Sequence, residues 1–399
     1  MKGKTKILSF GHIPSWAGGK QETGLANVIF QLAHKMAAED QDVFEVRLVA
    51  TDMHSDSDAF APLYIYGWTK PLLIRHILRH PLQALRLLLH LRRCRQTYGE
   101  VVHVKRMFLK AIFLRHCIDH FHPDVLHLHG ANNIVYFPLI PKRVKIIMTR
   151  HGKVGGDSNV SHSNMYSLFE RDCCRSNRIA KLYFITSRLI ADYEADYGRI
   201  SAPTEVILNA YDEEIFKYIP HQPGTLPTLM TIASLSTLKG QERVLEGIAA
   251  SGVACQYVCV GSDNYDINER MLRYAEKHNI NYTYVGTKSP CEIRQLLSCA
   301  DFMILPSSSE GFGLVYVESI ACGVPVVLPR NLPIVEEKGI IRPMENAVLL
   351  DDSSAESIAH FVRNMSSLAF DHEQVAATVL TYSWKNIARQ YLNSIKQLI

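Results

Sequence analysis

The chain has 399 residues, of which 47% are hydrophobic and 21% charged, and its formal net charge is +4. This length allows about two to three domains with ample hydrophobic cores. The small positive charge and the lack of a recognised nucleic-acid-binding module argue against nucleic acid as a partner.

Neither the start of the chain nor its hydrophobicity profile predicts a membrane anchor. The first ten residues contain no sustained apolar stretch of the kind found in signal peptides. No uninterrupted apolar run approaches the roughly 20 residues that cross a bilayer. The nine cysteines form no C-x-x-C pair, so we expect reduced thiols in a cytoplasmic protein, without a disulfide framework or a metal site.

The first half of the chain alternates between apolar strand-like runs and helical patterns. A strand from Lys4 to Phe10 is followed by a Gly-containing loop and then by a helix with apolar residues at helical spacing, namely Leu25, Val28, Ile29, Leu32 and Met36. Further strands are predicted at 44–50, 125–130, 145–149, 182–186 and 205–208. This alternation predicts a parallel sheet with helices on both faces.

A second alternating set begins after the Pro- and Gly-rich break at 221–227. Its strands are predicted near 229–233, 256–260, 282–285, 302–305 and 325–328. The sequence therefore predicts an α/β protein with two doubly wound domains of similar size.

The most informative stretch is the segment from Ser309 to Glu318, which follows an apolar run and precedes another. It is predicted to form a Gly-containing loop that opens a short helix, with Glu310 in the loop and Glu318 on the helix. The unpaired N–H groups and the dipole at a helix N-terminus favour an anion. Two glutamates at this spacing could also be coincidental, but their flanks P-S-x-x-E-G-F-G-L and E-x-x-A-x-G-x-P-V-V favour a nucleotide-sugar site.

This segment resembles the E-x7-E signature of the retaining glycosyltransferases with the GT-B fold, especially family 4, also called group 1. The resemblance implies that Glu310 contacts the transferred sugar and that Glu318 holds the ribose hydroxyls. It also implies two Rossmann-like domains facing a cleft. Residues 1–210 would form the acceptor-side domain, residues 211–379 the nucleotide-sugar domain, and the helix at 380–399 would pack back on the first.

A second motif lies where the first strand of the nucleotide-sugar domain ends. Lys239 is predicted at a helix N-terminus, where the dipole opposes a cation unless a phosphate is also present. The family pattern is G-R-L-x-x-x-K-G, but this chain has Ala233 and Ser234 in place of Gly and Arg. A bidentate cation for the diphosphate is thus missing, and nearby Arg243 is a weak candidate to replace it.

In the first domain, the segment Thr149-Arg150-His151-Gly152 resembles the family's T-x-H-G, which implies that His151 lies near the transferred sugar. His127 and His129 lie on the same face of a strand, and we interpret them as packing residues in preference to a metal pair. Gly18 and Gly19 resemble the family's Gly-rich loop over the diphosphate, although two glycines in such a loop are also typical of a tight turn.

The resemblance implies three catalytic residues, Glu310, His151 and Lys239. The expected donor-binding residues are Gly18, Gly19, Ser234, Lys239, Gly261, Thr287, Glu310, Gly311, Phe312, Gly313, Leu314 and Glu318. No metal and no cofactor are expected besides the nucleotide-sugar substrate.

The stretch from Trp68 to Arg95 is rich in leucine and arginine. In a helix, Gln83, Arg86, His90 and Arg93 would form one polar stripe beside a broad apolar surface. This pattern fits a helix that lies on anionic lipid, and it also fits a core helix whose arginines extend to water. The first interpretation assigns membrane contact to Arg79, Arg86, Arg92, Arg93 and Arg95.

We therefore predict a retaining, metal-independent glycosyltransferase that uses a nucleotide-diphosphate sugar, with a UDP-sugar as the expected donor. The expected acceptor is a glycan or lipid-linked saccharide in cell-envelope polysaccharide or lipopolysaccharide synthesis, reached from the cytoplasm or from the inner membrane face. Two alternatives remain open: a nucleotide-sugar epimerase on a similar scaffold, and a non-catalytic, membrane-associated partner subunit.

Overall fold

A computed structural model describes residues 3–21, 23–152 and 163–399. The chain forms two compact units. The first comprises Met1–Leu208 together with Lys385–Ile399, and the second comprises Asn209–Trp384. Each unit contains one sheet with helices around it.

The first unit is built on an eight-stranded sheet in the order β3-β4-β2-β1-β5-β6-β7-β8. All pairs are parallel except β3 with β4. The strands are β1 (Thr5–Gly11), β2 (Phe44–Ala50), β3 (Ser57–Phe60), β4 (Leu63–Tyr66), β5 (Val125–His129), β6 (Lys145–Arg150), β7 (Ile179–Phe184) and β8 (Thr204–Val206). The central strands β1, β5 and β6 are almost wholly buried, as expected for parallel strands covered on both faces.

Seven helices belong mainly to this unit: α1 (Gly24–Ala38), α2 (Lys70–Arg79), α3 (Pro81–Tyr98), α4 (Val104–Phe121), α5 (Ser163–Cys174), α6 (Ser187–Tyr197) and the C-terminal α14 (Trp384–Lys396). The Thr23 hydroxyl caps α1 by accepting a hydrogen bond from the Ala26 N–H group. The predicted apolar face of α1 is buried at Val28, Ile29 and Met36, whereas Leu25 is exposed.

Helix α14 is fastened to the first unit by polar contacts. The Tyr391 hydroxyl lies 3.1 Å from the Thr149 hydroxyl at the end of β6. The Ser394 hydroxyl donates to Glu205, 2.6 Å away, and Arg389 donates to Glu39 over the same distance. These contacts connect residues that are far apart in sequence, so the C-terminal helix is part of the first unit's fold.

The second unit contains a six-stranded parallel sheet in the order β11-β10-β9-β12-β13-β14. Its strands are β9 (Thr228–Ile232), β10 (Gln256–Val260), β11 (Asn281–Tyr284), β12 (Phe302–Ile304), β13 (Val326–Pro329) and β14 (Ala347–Leu350). Its helices are α7 (Gln241–Ser251), α8 (Ile267–Lys277), α9 (Pro290–Leu297), α10 (Leu314–Ala321), α11 (Pro333–Glu336), α12 (Ala355–Asn364) and α13 (His372–Ala377). The strand order reverses between β9 and β12, and in an open parallel sheet ligands bind at such a point.

Among the helices within the described ranges, none is long and apolar enough to cross a membrane.

A buried ion pair lies where β6 ends. Arg150 donates to Glu170 of α5, and both side chains are almost completely buried. The Tyr193 hydroxyl, on α6, accepts from Arg150 at 2.7 Å and donates to Glu170 at 2.7 Å. Because all three groups come from different elements, this cluster fixes the ends of α5 and α6 against β6.

We expect Glu170→Gln to destabilise the protein by about 3–5 kcal/mol, because the Arg150 guanidinium would stay buried without its counter-charge. Urea denaturation of the full chain measures the change. The matched control is Glu100→Gln, which removes an exposed partner of Arg95 and should alter stability by about 1 kcal/mol or less. Equal effects of the two substitutions would contradict the importance of the buried pair.

Candidate functional site

The centre of the site in the second unit is an ion pair between two loops that follow adjacent strands. Lys239 lies in the loop between β9 and α7, and Glu310 lies in the loop between β12 and α10. The Lys239 Nζ atom donates to Glu310 Oε1 over 2.5 Å. The structure therefore brings together two predicted catalytic residues that are 71 positions apart in sequence.

The backbones of these two loops are also joined. The Ser308 N–H group donates to the Leu238 carbonyl at 2.9 Å. Arg243 donates to the Thr237 carbonyl at 2.9 Å and to the Pro306 carbonyl at 2.8 Å. The guanidinium of Arg243 thus holds the two loops together, and it does not take the place of the arginine that the family has at position 234.

Glycine shapes the start of α10. Gly313 has a φ of +81°, and a Cβ atom there would lie 2.5 Å from the ring of Tyr316. The Tyr316 hydroxyl donates to the Leu305 carbonyl at 2.9 Å, which fixes the loop against the helix. The first N–H groups of α10 have no partner within the helix and therefore offer donors to an anion.

Glu318 lies on α10 and is partly buried. Burial, with a further contribution from the nearby charge of Asp212, raises the pKa of Glu318 to about 7. Its carboxyl group therefore changes protonation near neutral pH, which is unusual for a glutamate.

The other predicted donor-binding residues are grouped at the ends of β9, β10 and β11. Gly261 is required by the backbone, because a Cβ atom there would lie 2.0 Å from the Ala233 carbonyl oxygen. Its N–H group donates to the Gly286 carbonyl at 3.0 Å, and the Ser262 hydroxyl donates to the Ser234 hydroxyl at 3.0 Å. Ser234 and Thr287 are exposed and can meet a ligand.

The residues between Glu310 and Glu318 differ in how far they are buried. Gly311 and Leu314 are partly buried, whereas Phe312 is buried in the unit. A donor contact by Phe312 would therefore use its backbone, while its side chain supports the loop.

In the first unit, His151 follows β6 and is part of a histidine chain. Its Nε2 atom lies 2.9 Å from Nδ1 of His129, and its Nδ1 atom has no hydrogen-bond partner among the described residues. Burial, reinforced by Arg150 and His127, lowers the pKa of His151 to about 3. The imidazole is therefore neutral at neutral pH, with one nitrogen available to a ligand.

His127 and His129 both lie inside the sheet. His127 Nε2 is 2.7 Å from the Thr149 hydroxyl, and the two imidazole rings are 4.2 Å apart. These contacts fit the interpretation of both residues as packing residues that support His151.

The loop that contains Gly18 and Gly19 is held by hydrogen bonds between its own backbone groups. Their N–H groups donate to the carbonyls of Ser15 and Pro14, both at 3.0 Å. A Cβ atom at Gly19 would lie 2.0 Å from the Ile13 carbonyl oxygen. The turn by itself explains both glycines, and their contact with substrate stays a prediction.

A basic cavity of about 370 Å³, which the sequence motifs did not reveal, lies at the ends of β1 and β5. His12, His103, Arg106 and Lys110 line it. Lys110 Nζ lies 3.3 Å from His12 Nε2, and burial, with the nearby charge of Arg106, lowers the lysine's pKa to about 8. The sequence offers one signal for this cavity, the basic stretch at 105–110.

Comparisons with known proteins give the family that the second unit resembles. Residues 212–375 match the family model described as "Glycosyl transferases group 1". A GDP-mannose:cellobiosyl-diphosphopolyprenol alpha-mannosyltransferase from Xanthomonas oryzae pv. oryzae is 25% identical over 68% of this chain and 73% of its own length. A GDP-mannose-dependent alpha-(1-6)-phosphatidylinositol dimannoside mannosyltransferase from Mycobacterium tuberculosis is 29% identical over 42% of this chain and 43% of its length.

Solved structures resemble the chain over almost its full length. Sucrose-phosphate synthase from Thermosynechococcus elongatus has a TM-score of 0.77 at 15% identity, covering 99% of both chains. Anabaena Alr3699/HepE, solved with UDP and glucose, has a TM-score of 0.67 at 14% identity, covering 98% of this chain and 100% of its own. These likenesses confirm the predicted GT-B fold. Residues 212–375 match the group 1 glycosyltransferases, and over this range the family predicted from the motifs is confirmed.

Proposed function

We propose that this glycosyltransferase moves mannose from GDP-mannose to a hydroxyl of a phosphate-bearing glycolipid or glycan, with retention of the anomeric configuration. The observation that carries the proposal is the 2.5 Å pair of Lys239 and Glu310 beside the N-terminus of α10. GDP-mannose replaces the expected UDP-sugar as the first donor to test, because the relatives from Xanthomonas and Mycobacterium are named for it.

The ion pair explains how the empty site is kept ready for the donor. Lys239 lies at the start of α7, where the helix dipole opposes its charge, and Glu310 offsets this cost. When a diphosphate binds at the N-terminus of α10, it becomes the partner of Lys239. The carboxylate of Glu310 is then released to accept hydrogen bonds from the hydroxyls of the sugar.

The reaction breaks the bond between the sugar's anomeric carbon and the diphosphate oxygen. Lys239 and the N–H groups of α10 stabilise the charge that develops on the departing diphosphate. A diphosphate oxygen accepts the proton of the acceptor hydroxyl, which attacks from the same face, so an α-donor gives an α-linkage. No step in this scheme requires a metal ion.

The acceptor is proposed to carry a phosphate. The named compounds of the relatives include a diphosphopolyprenol, a phosphatidylinositol and D-inositol 3-phosphate. In this chain, Arg106 and Lys110 line the basic cavity at the ends of β1 and β5. Arg150 also lines that cavity, and its buried Nη1 atom has no partner in the described part of the chain. A phosphate bound in the cavity would form ion pairs and hydrogen bonds with these cations.

A transfer assay with radiolabelled GDP-mannose and a lipid-diphosphate-linked saccharide tests the proposal. We expect mannose to appear on the lipid and Lys239→Met to lower kcat about 100-fold, because the leaving diphosphate loses its cation. The matched control is Lys277→Met, at an exposed lysine of α8, which should keep full activity.

Three outcomes of this assay would overturn parts of the proposal. Transfer from UDP-sugars but not from GDP-mannose would reject the donor. Equal transfer to an acceptor without phosphate would reject the role of the basic cavity. Isomerisation of the sugar without any acceptor would support an epimerase.

A second prediction concerns the pH dependence of donor binding. Only ionised Glu318 can accept hydrogen bonds from both ribose hydroxyls, and its pKa of about 7 leaves most of it protonated at pH 6. We therefore expect the affinity for GDP to rise roughly fivefold to tenfold between pH 6 and pH 8. Titration calorimetry measures the dissociation constants.

The control for this experiment is Glu318→Gln, whose side chain does not titrate. Its affinity should be lower than that of the wild type at pH 8 and should change only as far as the diphosphate itself titrates. If the variant shows the same pH dependence as the wild type, Glu318 does not hold the ribose.

We also propose that the face of α2 and α3 contacts an anionic membrane. Five of the large exposed hydrophobic residues follow one another along these helices: Ile74, Leu78, Leu82, Leu85 and Leu89. Leu78 is 74% exposed and Leu82 71%. Exposed arginines at 75, 79, 86, 92, 93 and 95 surround them, and each contributes about 1 kcal/mol near an anionic surface.

The opposite side of α3 packs into the unit. Its buried residues are Ala84, Leu87, Leu91, Cys94 and Tyr98. The helix therefore has a core face and, in addition, an apolar face that no described element covers completely. A core helix with arginines extending to water would not need the second apolar face.

Flotation with vesicles that contain an anionic phospholipid tests this surface. We expect the double variant Leu78→Ser, Leu82→Ser to bind vesicles at least about tenfold more weakly, because two leucines no longer enter the lipid. High salt should also weaken binding by the wild type. Leu272→Ser, at an exposed leucine of α8, is the control, and an equal loss with this variant would contradict the assignment.

A further inference from the structure

A histidine cluster lies in the first unit, away from the residues assigned to sugar transfer. His76 and His80 are four residues apart at the end of α2, so they lie on one side of that helix. Asp119 comes from α4, which packs against α2. One ligand atom from each of these three residues lies within 4.8 Å of the other two.

Within the described ranges, one ring nitrogen of His76 is left without a hydrogen-bond partner. Its residue is 6% exposed, and its Nε2 atom has no hydrogen-bond partner in the described part of the chain. A buried imidazole nitrogen without a hydrogen-bond partner is suited to bind a metal ion.

Asp119 is already held in position by a neighbour on its own helix. Arg115 donates from Nε to Asp119 Oδ2 at 2.8 Å, and its Nη2 atom lies 2.8 Å from Oδ1. Arg115 also donates to the Leu139 carbonyl at 2.8 Å, which anchors the guanidinium. Each carboxylate oxygen keeps a further lone pair, so Asp119 can bind an ion while Arg115 orients it.

We propose that His76, His80 and Asp119 bind a divalent transition-metal ion, with Zn²⁺ favoured by two imidazoles and one carboxylate. These ligands select zinc, cobalt, nickel or copper over magnesium and calcium, which prefer oxygen ligands. A water molecule can complete a tetrahedral set. A cavity of about 610 Å³ beside the three residues gives the ion access.

The role of this ion is structural. His80 is the residue at which α2 ends and α3 begins, and Leu78 and Leu82 lie on either side of it. An ion shared with Asp119 fastens this junction to α4 and so orders the exposed leucine face. The site does not depend on the proposed sugar transfer, and its failure would leave that proposal unchanged.

An anion is the competing occupant of the same cavity. Arg75 and Arg79 also line it, and their positive charge disfavours a cation. Both arginines are exposed and therefore screened by water, whereas His76 is buried and one of its ring nitrogens lies within 4.8 Å of a carboxylate oxygen of Asp119. This burial favours the metal.

The experiment uses the full chain, freed of metal by a chelator and then titrated with Zn²⁺ alone. We expect one Zn²⁺ per chain by calorimetry, and a Co²⁺ adduct whose visible absorption is typical of a tetrahedral site. His80→Gln and Asp119→Asn should each weaken binding at least about tenfold. His80 is exposed, so its variant leaves the packed core intact.

His120→Gln is the matched control, because His120 lines the same cavity but is not one of the three ligands. Unchanged binding in this variant, with loss in the other two, supports the site. Equal binding by all four proteins, or no binding by the wild type, overturns it. Protection of the wild type against heat by inorganic phosphate but not by Zn²⁺ also overturns it and identifies an anion site.

Discussion

The proposed donor site in the second unit depends on one ion pair, the contact between Lys239 and Glu310. A lysine at the N-terminus of a helix faces an opposing dipole, and a glutamate in a partly buried loop pays a desolvation cost. Each residue stabilises the other while the site is empty. In the proposed function, a diphosphate takes the place of the carboxylate at Lys239, and Glu310 then accepts hydrogen bonds from the sugar hydroxyls.

Around this pair, the backbone comes so close to neighbouring groups at two glycines that a side chain at either position would clash. Gly261 lies against the Ala233 carbonyl, and Gly313 lies against the ring of Tyr316. Arg243, which could have served as a phosphate ligand, instead bonds to the carbonyls of Thr237 and Pro306. The family's second cation is therefore missing, and in the proposed function Lys239 carries the electrostatic role that two residues share in the family pattern.

In the first unit, burial and close partners determine which side chains are charged. His151 and His129 are kept neutral inside the sheet, while Arg150 is kept charged beside Glu170. Neutral imidazoles suit contact with sugar hydroxyls, and buried or half-buried cations suit a phosphate. The amphipathic helices α2 and α3 add a separate surface, in which exposed leucines and arginines lie beside the histidine cluster on α2 and α4.

The sequence by itself determined the parts of the molecule that depend on residues close to one another along the chain. Glu310, Glu318 and Lys239 were found because each lies in a short motif beside an apolar strand. The short strands β3, β4 and β14 were not predicted. Only the tertiary structure decided that Arg106 and Lys110 line a cavity and that His76 meets Asp119, because such groupings depend on how helices and strands pack. The tertiary structure also decided which groups Arg243 bonds to, since the carbonyls of Thr237 and Pro306 come from two separate loops.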